Sequence, residues 1–94
     1  MRYFIEFSYN GTNYHGWQIQ PNAITVHEVL NKNLSLLLKE EIYTIGAGRT
    51  DTGVHAKQMY AHFDSSSTFD LQLLAHKLNA LLPKDIAIHQ ILSV

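Results

Sequence analysis

The apolar residues of this 94-residue chain change their spacing several times, and the order of those changes constrains the fold more than any other feature. In residues 2–9, Tyr3, Ile5, Phe7 and Tyr9 share one face and Phe4, Glu6 and Ser8 the other, which is the period of a strand. Asn10-Gly11 stops it, and a polar loop with Gly16 and Pro21 follows. Thr25-Val26-His27-Glu28 has the form of a capping box, in which the Thr hydroxyl accepts the free N–H at Glu28 and Glu28 reaches back. Val26, Val29, Leu30, Leu34, Leu37 and Leu38 then recur at helical spacing and predict a helix over 26–39, with Lys39 suited to its negative end. Ile42 to Ile45 reads as a short strand. Met59, Ala61 and Phe63 alternate with Tyr60, His62 and Asp64 in another strand. Leu71, Leu74, Ala75, Leu78, Leu81 and Leu82 predict a second helix, which Pro83 ends because proline cannot continue the hydrogen-bond ladder. Residues 86–94 read as a final strand.

Strand, helix, strand, strand, helix, strand is the order of the split βαβ pattern. It predicts an α+β, ferredoxin-like βαββαβ domain: a four-stranded antiparallel sheet with two helices on one face. A chain of this length is one small domain with a modest core. Its 46% apolar content excludes disorder. There is no cysteine, hence no disulfide and no thiolate metal site. Glu6 and Ser8 interrupt the apolar start, and no run of about 18 apolar residues exists, so the default location is the cytoplasm. The net charge of −1 gives no support for nucleic-acid binding, which usually shows as a basic excess.

Between the second and third strands lies Gly46-Ala-Gly-Arg-Thr-Asp-Thr-Gly-Val-His55. Its glycines and polar residues make a loop. A Rossmann fingerprint fails there, because the third glycine position is Asp51. A Walker loop fails too, because Val54-His55 follows Gly53 where Lys and Ser or Thr are needed. Asp51, His55, His62 and Asp64 are close in sequence, yet two lie on a strand and two in a loop, so scattered histidines are a better account than a metal site. Thr-Asp-Thr-Gly is ordinary turn chemistry, with Gly53 taking a positive φ. The same loop can also hold a catalytic carboxylate, kept ionised by Arg49 and acting as nucleophile or base on a sugar. A second loop, Tyr9-Asn10-Gly11-Thr12-Asn13-Tyr14-His15-Gly16-Trp17-Gln18, mixes aromatics with amides; it suits either base stacking or aromatics folded back onto a small core.

Three stretches together resemble the tRNA pseudouridine synthase A family. Ala47-Gly48-Arg49-Thr50-Asp51-Thr52-Gly53-Val54-His55 is similar to the family's Ala-Gly-Arg-Thr-Asp-x-Gly-Val-His. Residues 9–20, ending Gly16-Trp17-Gln18-Ile19-Gln20, and Leu78-Asn79-Ala80-Leu81-Leu82-Pro83-Lys84-Asp85-Ile86 match its other two motifs in order. The resemblance implies isomerisation of uridine to pseudouridine in the anticodon arm of tRNA, at positions 38 to 40, with Asp51 essential and Arg49 beside it. It implies Thr50, Gly53, His55, Trp17, Gln18 and Gln20 as RNA-binding candidates, tRNA as partner, a homodimer, and no cofactor or metal. Asn10 stands where the family usually has Asp, and His27 where a Gln often follows the Val of the first helix. Family members are more than twice as long, so the chain is expected to be the N-terminal domain, without the second domain and inactive alone. The alternative is a ferredoxin-like RNA-binding or protein-interaction module without chemistry; no RNP1-like pattern supports it in Gln58 to Asp64.

Overall fold

The computed structural model describes residues 1–49 and 51–93. The chain folds as β1 (Arg2–Tyr9), α1 (Val26–Leu38), β2 (Ile45–Gly46), β3 (Ala56–Asp64), α2 (Leu71–Leu81) and β4 (Ile86–Ser93), with a short 3-10 turn at Gly11–Asn13. The sheet order is β2-β3-β1-β4, with every pairing antiparallel. This is the expected ferredoxin-like arrangement.

The alternation in β1 sets the layers. Tyr3, Ile5, Phe7 and Tyr9 are buried, as are Met59, Ala61 and Phe63 of β3 and Ile86, Ile88 and Ile91 of β4. Leu30 and Leu34 of α1 and Leu74 and Leu78 of α2 join the same cluster, so both helices cover one face. Each fully buried side chain of this size contributes about 1.5–3 kcal/mol, and most of the domain's stability therefore comes from this single layer. The opposite face stays open. There Glu6 accepts hydrogen bonds from Gln58 (2.8 Å) and Gln90 (2.7 Å) on the two flanking strands. Those bonds hold its carboxyl below the usual range.

Both helix starts follow their local chemistry. Thr25 Oγ1 accepts from the Glu28 N–H at 3.3 Å, and Asp70 Oδ1 accepts from the Leu73 N–H at 3.1 Å. Each satisfies an N–H that the first helical turn leaves unpaired. Helix α1 ends one residue before the predicted Lys39, which sits outside it in a left-handed conformation at φ 55°. Leu81 is more exposed than its place in the helical pattern implied, while Leu82 is buried just past the end of α2.

One element differs from expectation. The strand predicted over 42–45 is reduced to Ile45–Gly46. Residues 42–44 are instead held by polar side chains one helical turn apart on α1. Ser35 Oγ accepts the Ile42 N–H at 2.8 Å, Asn31 Oδ1 accepts the Thr44 N–H (2.8 Å) and hydroxyl (2.6 Å), and His27 Nε2 lies 2.6 Å from the Thr44 carbonyl oxygen. The helix replaces a neighbouring strand as partner for this backbone. The third strand in turn begins at Ala56, earlier than its alternation suggested, and the β1–β3 register shifts between Phe7 and Tyr9. The β1–β4 register also shifts, after Glu6, leaving His89 as the extra residue of a bulge.

Asn31 bonds through its oxygen only; its Nδ2 is buried without a partner. Replacing Asn31 with Ala strands two buried donors of Thr44, a loss of about 1–3 kcal/mol. Urea denaturation is expected to show that loss as a lower midpoint at unchanged slope.

Candidate active site

The three sequence motifs, far apart in the chain, come together in space. Asn10 donates its N–H to the Asp85 carbonyl (2.8 Å), and the Tyr14 hydroxyl donates to Asp85 Oδ1 (2.6 Å). Burial, together with that carboxylate, pushes the Tyr14 hydroxyl far above its ordinary range. This ties the second loop to the third motif. Within the third motif, Asn79 donates to the Ile88 carbonyl (3.0 Å) and accepts its N–H (2.7 Å), fixing β4 beside its bulge.

The second loop is also zipped to the glycine loop. Gly11 donates its N–H to His55 Nδ1 at 2.9 Å, and Gly53 donates to the Tyr14 carbonyl at 3.1 Å. The two backbones touch: a Cβ added at Gly11 would sit 1.9 Å from the Val54 carbonyl oxygen. A Cβ at Gly46 would lie 2.5 Å from Trp17 Nε1. These two glycines are needed for close approach.

Asp51 stands at the tip of this loop and is exposed. Its carbonyl accepts the Val54 N–H at 3.1 Å, closing a turn over Thr52 and Gly53. Gly53 has φ +78°, at the position where a type II turn needs a left-handed residue. The turn expected from Thr-Asp-Thr-Gly is therefore present, and it presents the Asp51 carboxylate to solvent. Among the described residues that carboxylate takes no hydrogen bond, and Arg49 makes no ion pair with it. The pairing expected between the two is not formed here; the ion pair among the described residues joins Arg2 and Asp64 at 2.9 Å. Arg49 is also exposed and lines a shallow pocket with Gly48, Gln58, Met59 and Tyr60. Thr50 lies outside the described residues.

The remaining candidates serve the loops themselves. Trp17 is only 1% exposed; it stacks on His27 (4.7 Å, 19°) and packs on Phe7 (5.3 Å). Tyr9 and Tyr14 are buried too, so the aromatics of the second loop fold back onto the core. Gln20 donates to the His15 carbonyl (2.7 Å), and Gln18 reaches the Tyr43 hydroxyl at 3.5 Å. His55 is exposed and accepts the Gly11 N–H at its Nδ1. Asp64 is engaged by Arg2, and His62 lies edge-on to Phe4 at 5.8 Å. Among the described residues no three of His, Asp and Glu are grouped as metal ligands. A second groove, beside His55, is lined by Asn10, Lys57, Lys84, Asp85 and His89. Sequence reasoning singled out neither lysine, because each stands alone in the chain and only the fold brings them together.

A ferredoxin-like sheet thus holds three separate motifs together, beside a glycine-rich loop that carries the exposed Asp51. Residues 6–94 match the sequence profile of the family described as tRNA pseudouridine synthase, and the chain belongs to that family. It is 55% identical over 93 residues to the tRNA pseudouridine synthase A of Bacteroides thetaiotaomicron, covering 99% of this chain and 35% of that protein. It is 53% identical over 94 residues to that of Parabacteroides distasonis, covering 99% of this chain and 37% of that protein. Against the Thermoanaerobacter sp. protein of the same name it is 49% identical over 86 residues, 92% of this chain and 35% of that protein. The chain thus spans about a third of the length of the relatives it matches. No helix among the described residues is long and apolar enough to cross a membrane.

Gly11→Ala is expected to force the two loops apart, because a backbone carbonyl cannot yield as a flexible side chain can, at a cost of about 1–3 kcal/mol or more. Gly48→Ala, with nothing within 4 Å of its added Cβ, is expected to leave the thermal midpoint nearly unchanged. Parallel melts of the two variants check the contrast.

Proposed function

We propose that this chain carries the reacting carboxylate of a tRNA pseudouridine synthase, and that the carboxylate is Asp51. The observation that supports this most is its setting: an exposed carboxylate, unbonded among the described residues, at the tip of a turn fixed to the second loop, which is itself tied to the third motif. A group acting on a bound sugar must reach outward while its base is rigid. Asp51 has both properties.

In this reading the uridine leaves the helical stack, as bases must for enzymes that work on them. The N1–C1′ bond breaks, the uracil turns, and C5 bonds to C1′; the C5 hydrogen passes to solvent and N1 gains a proton. Asp51 attacks C1′ or removes the 2′ proton, and both routes use the same position. Arg49 steers the carboxylate once RNA is bound and helps to fill the space the base vacates. Thr50, Gly53 and His55 contact the RNA in this reading, while Trp17, Gln18 and Gln20 shape the second loop. Asn10, Lys57 and Lys84 bring positive and amide groups beside the site in a chain whose overall charge is near neutral. The target uridines are those of the anticodon arm, and the enzyme works as a cytoplasmic homodimer. Residues 1–94 form its N-terminal catalytic-loop domain and do not turn over tRNA alone, since much of the relatives' length has no counterpart here.

The alternative is an RNA-binding or protein-interaction module without chemistry. The open sheet face, with Phe4 at 38% and Tyr60 at 42% exposure, is the observation that favours it.

Residues 1–94 grafted in place of the matching stretch of the Bacteroides thetaiotaomicron relative provide the test, with tRNA tritiated at uridine C5. The graft is expected to release tritium to water, and the same graft with Asp51→Asn is expected to fall to the no-enzyme background. Equal release by both would return Asp51 to the role of a turn residue. The ungrafted chain is expected to release none at enzyme-like rates.

A further inference from the structure

His27 is 1% exposed and touches both the second loop and the segment that leads into the glycine loop. Its Nδ1 faces the Ile19 N–H at 3.3 Å, and its Nε2 lies 2.6 Å from the Thr44 carbonyl oxygen. A backbone N–H can only donate and a carbonyl can only accept. The two partners therefore require a neutral ring with its proton on Nε2. The His27 backbone N–H also donates to the Trp17 carbonyl at 2.9 Å. The Trp17 indole lies flat on the imidazole and, on its other side, abuts Gly46, the first residue of the glycine loop. One buried ring thus fixes residues 17–19 and residues 44–46 relative to helix α1.

We infer that His27 is a positioning residue for the Asp51 loop and makes the placement of that loop pH-dependent. The inference rests on the function proposed for Asp51, and it adds a titratable group to the support of that loop. A glutamine can satisfy the same two partners, donating its amide N–H to Thr44 and accepting from Ile19, but it carries no titratable proton. A second proton on His27 goes to Nδ1, where it opposes the Ile19 N–H and breaks that bond. It also places a cation in the field of Arg49. The groups around the ring are the Trp17 indole from the second loop, the Tyr43 hydroxyl-bearing ring edge-on at 4.8 Å, the Thr44 carbonyl, and Arg49 from the glycine loop. Among the described residues, no carboxylate acts on the ring to stabilise an imidazolium. Burial first, and Arg49 in addition, push the His27 pKa down, against the opposing Thr44 bond.

The sign of the stability effect follows. With the folded pKa below the unfolded value of about 6.5, the unfolded chain binds more protons in the interval between them. Stability is full above about pH 6.5 and is lost as pH falls toward the folded value.

The test is 1H–15N NMR of the 94-residue chain between pH 4.5 and 8, beside His27→Gln. At neutral pH the ring nitrogens are expected to report a neutral ring with the proton on Nε2. As pH falls, the amides of Ile19, Thr44, Gly46 and Gly48 are expected to move together, with one midpoint below about 6.5. In His27→Gln, the fold is expected to persist and that concerted movement to vanish. Its urea midpoint is also expected to fall less between pH 7.5 and 5 than that of the parent. A proton on Nδ1 at neutral pH, loop amides that do not move with His27, or the same concerted titration in the Gln variant would each overturn the inference. The measurement needs no RNA, so its failure leaves the Asp51 chemistry standing, and failure of the tritium assay leaves the His27 pin standing.

Discussion

The backbone of residues 42–44 has no full strand beside it, and the arrangement of the site depends on how helix α1 compensates. A buried N–H or C=O left unpaired is costly, and β2 is too short to supply the partners. His27, Asn31 and Ser35 supply them from one stripe of the helix. That stripe lies beside the leucines that seat α1 on the sheet, so the packing of the helix also determines where the glycine loop begins. Hydrophobic burial and polar satisfaction act on the same element from adjacent faces.

The second constraint is contact between loops. Gly11 against Val54, Gly46 against Trp17, and Tyr14 on Asp85 join three segments that are each short and polar. None is stable by itself. Together they leave the turn at Asp51 fixed at both flanks and open at its tip.

Much of this was legible in the sequence. The alternation in β1, β3 and β4 and the leucine spacing of both helices specified the fold, because each element has one buried face and a clear period. The Thr25 cap and the positive φ of Gly53 were also readable, since each follows from a local rule. The predicted strand over 42–45 fell short for a non-local reason. Its apolar and β-branched residues suit a strand, but Thr44 found a better partner on a helix that precedes it in the chain. The polar stripe on α1 was hidden for the same reason: His27, Asn31 and Ser35 look like solvated positions until the backbone they serve is in place. The aromatic loop was open to two readings in the sequence, and burial of Tyr9, Tyr14 and Trp17 supports the packing one. Arg49 and Asp51, two residues apart and opposite in charge, invited a pair that is absent among the described residues.

The sheet order carries a consequence of its own. One margin, β2, is two residues long, and the other, β4, is eight. A short margin gives an incoming chain little to bond with, whereas a long one presents a row of unpaired N–H and C=O groups that can template another strand. Along the first half of β4 that row is already taken, because Pro83 accepts the Ile86 N–H and Asn79 pairs with the N–H and carbonyl of Ile88, ahead of the bulge at His89. The glycine loop therefore sits at the margin with least to offer another strand, and on the opposite margin only the stretch after the bulge at His89 lies clear of the Pro83 and Asn79 bonds, remote from the turn that bears Asp51.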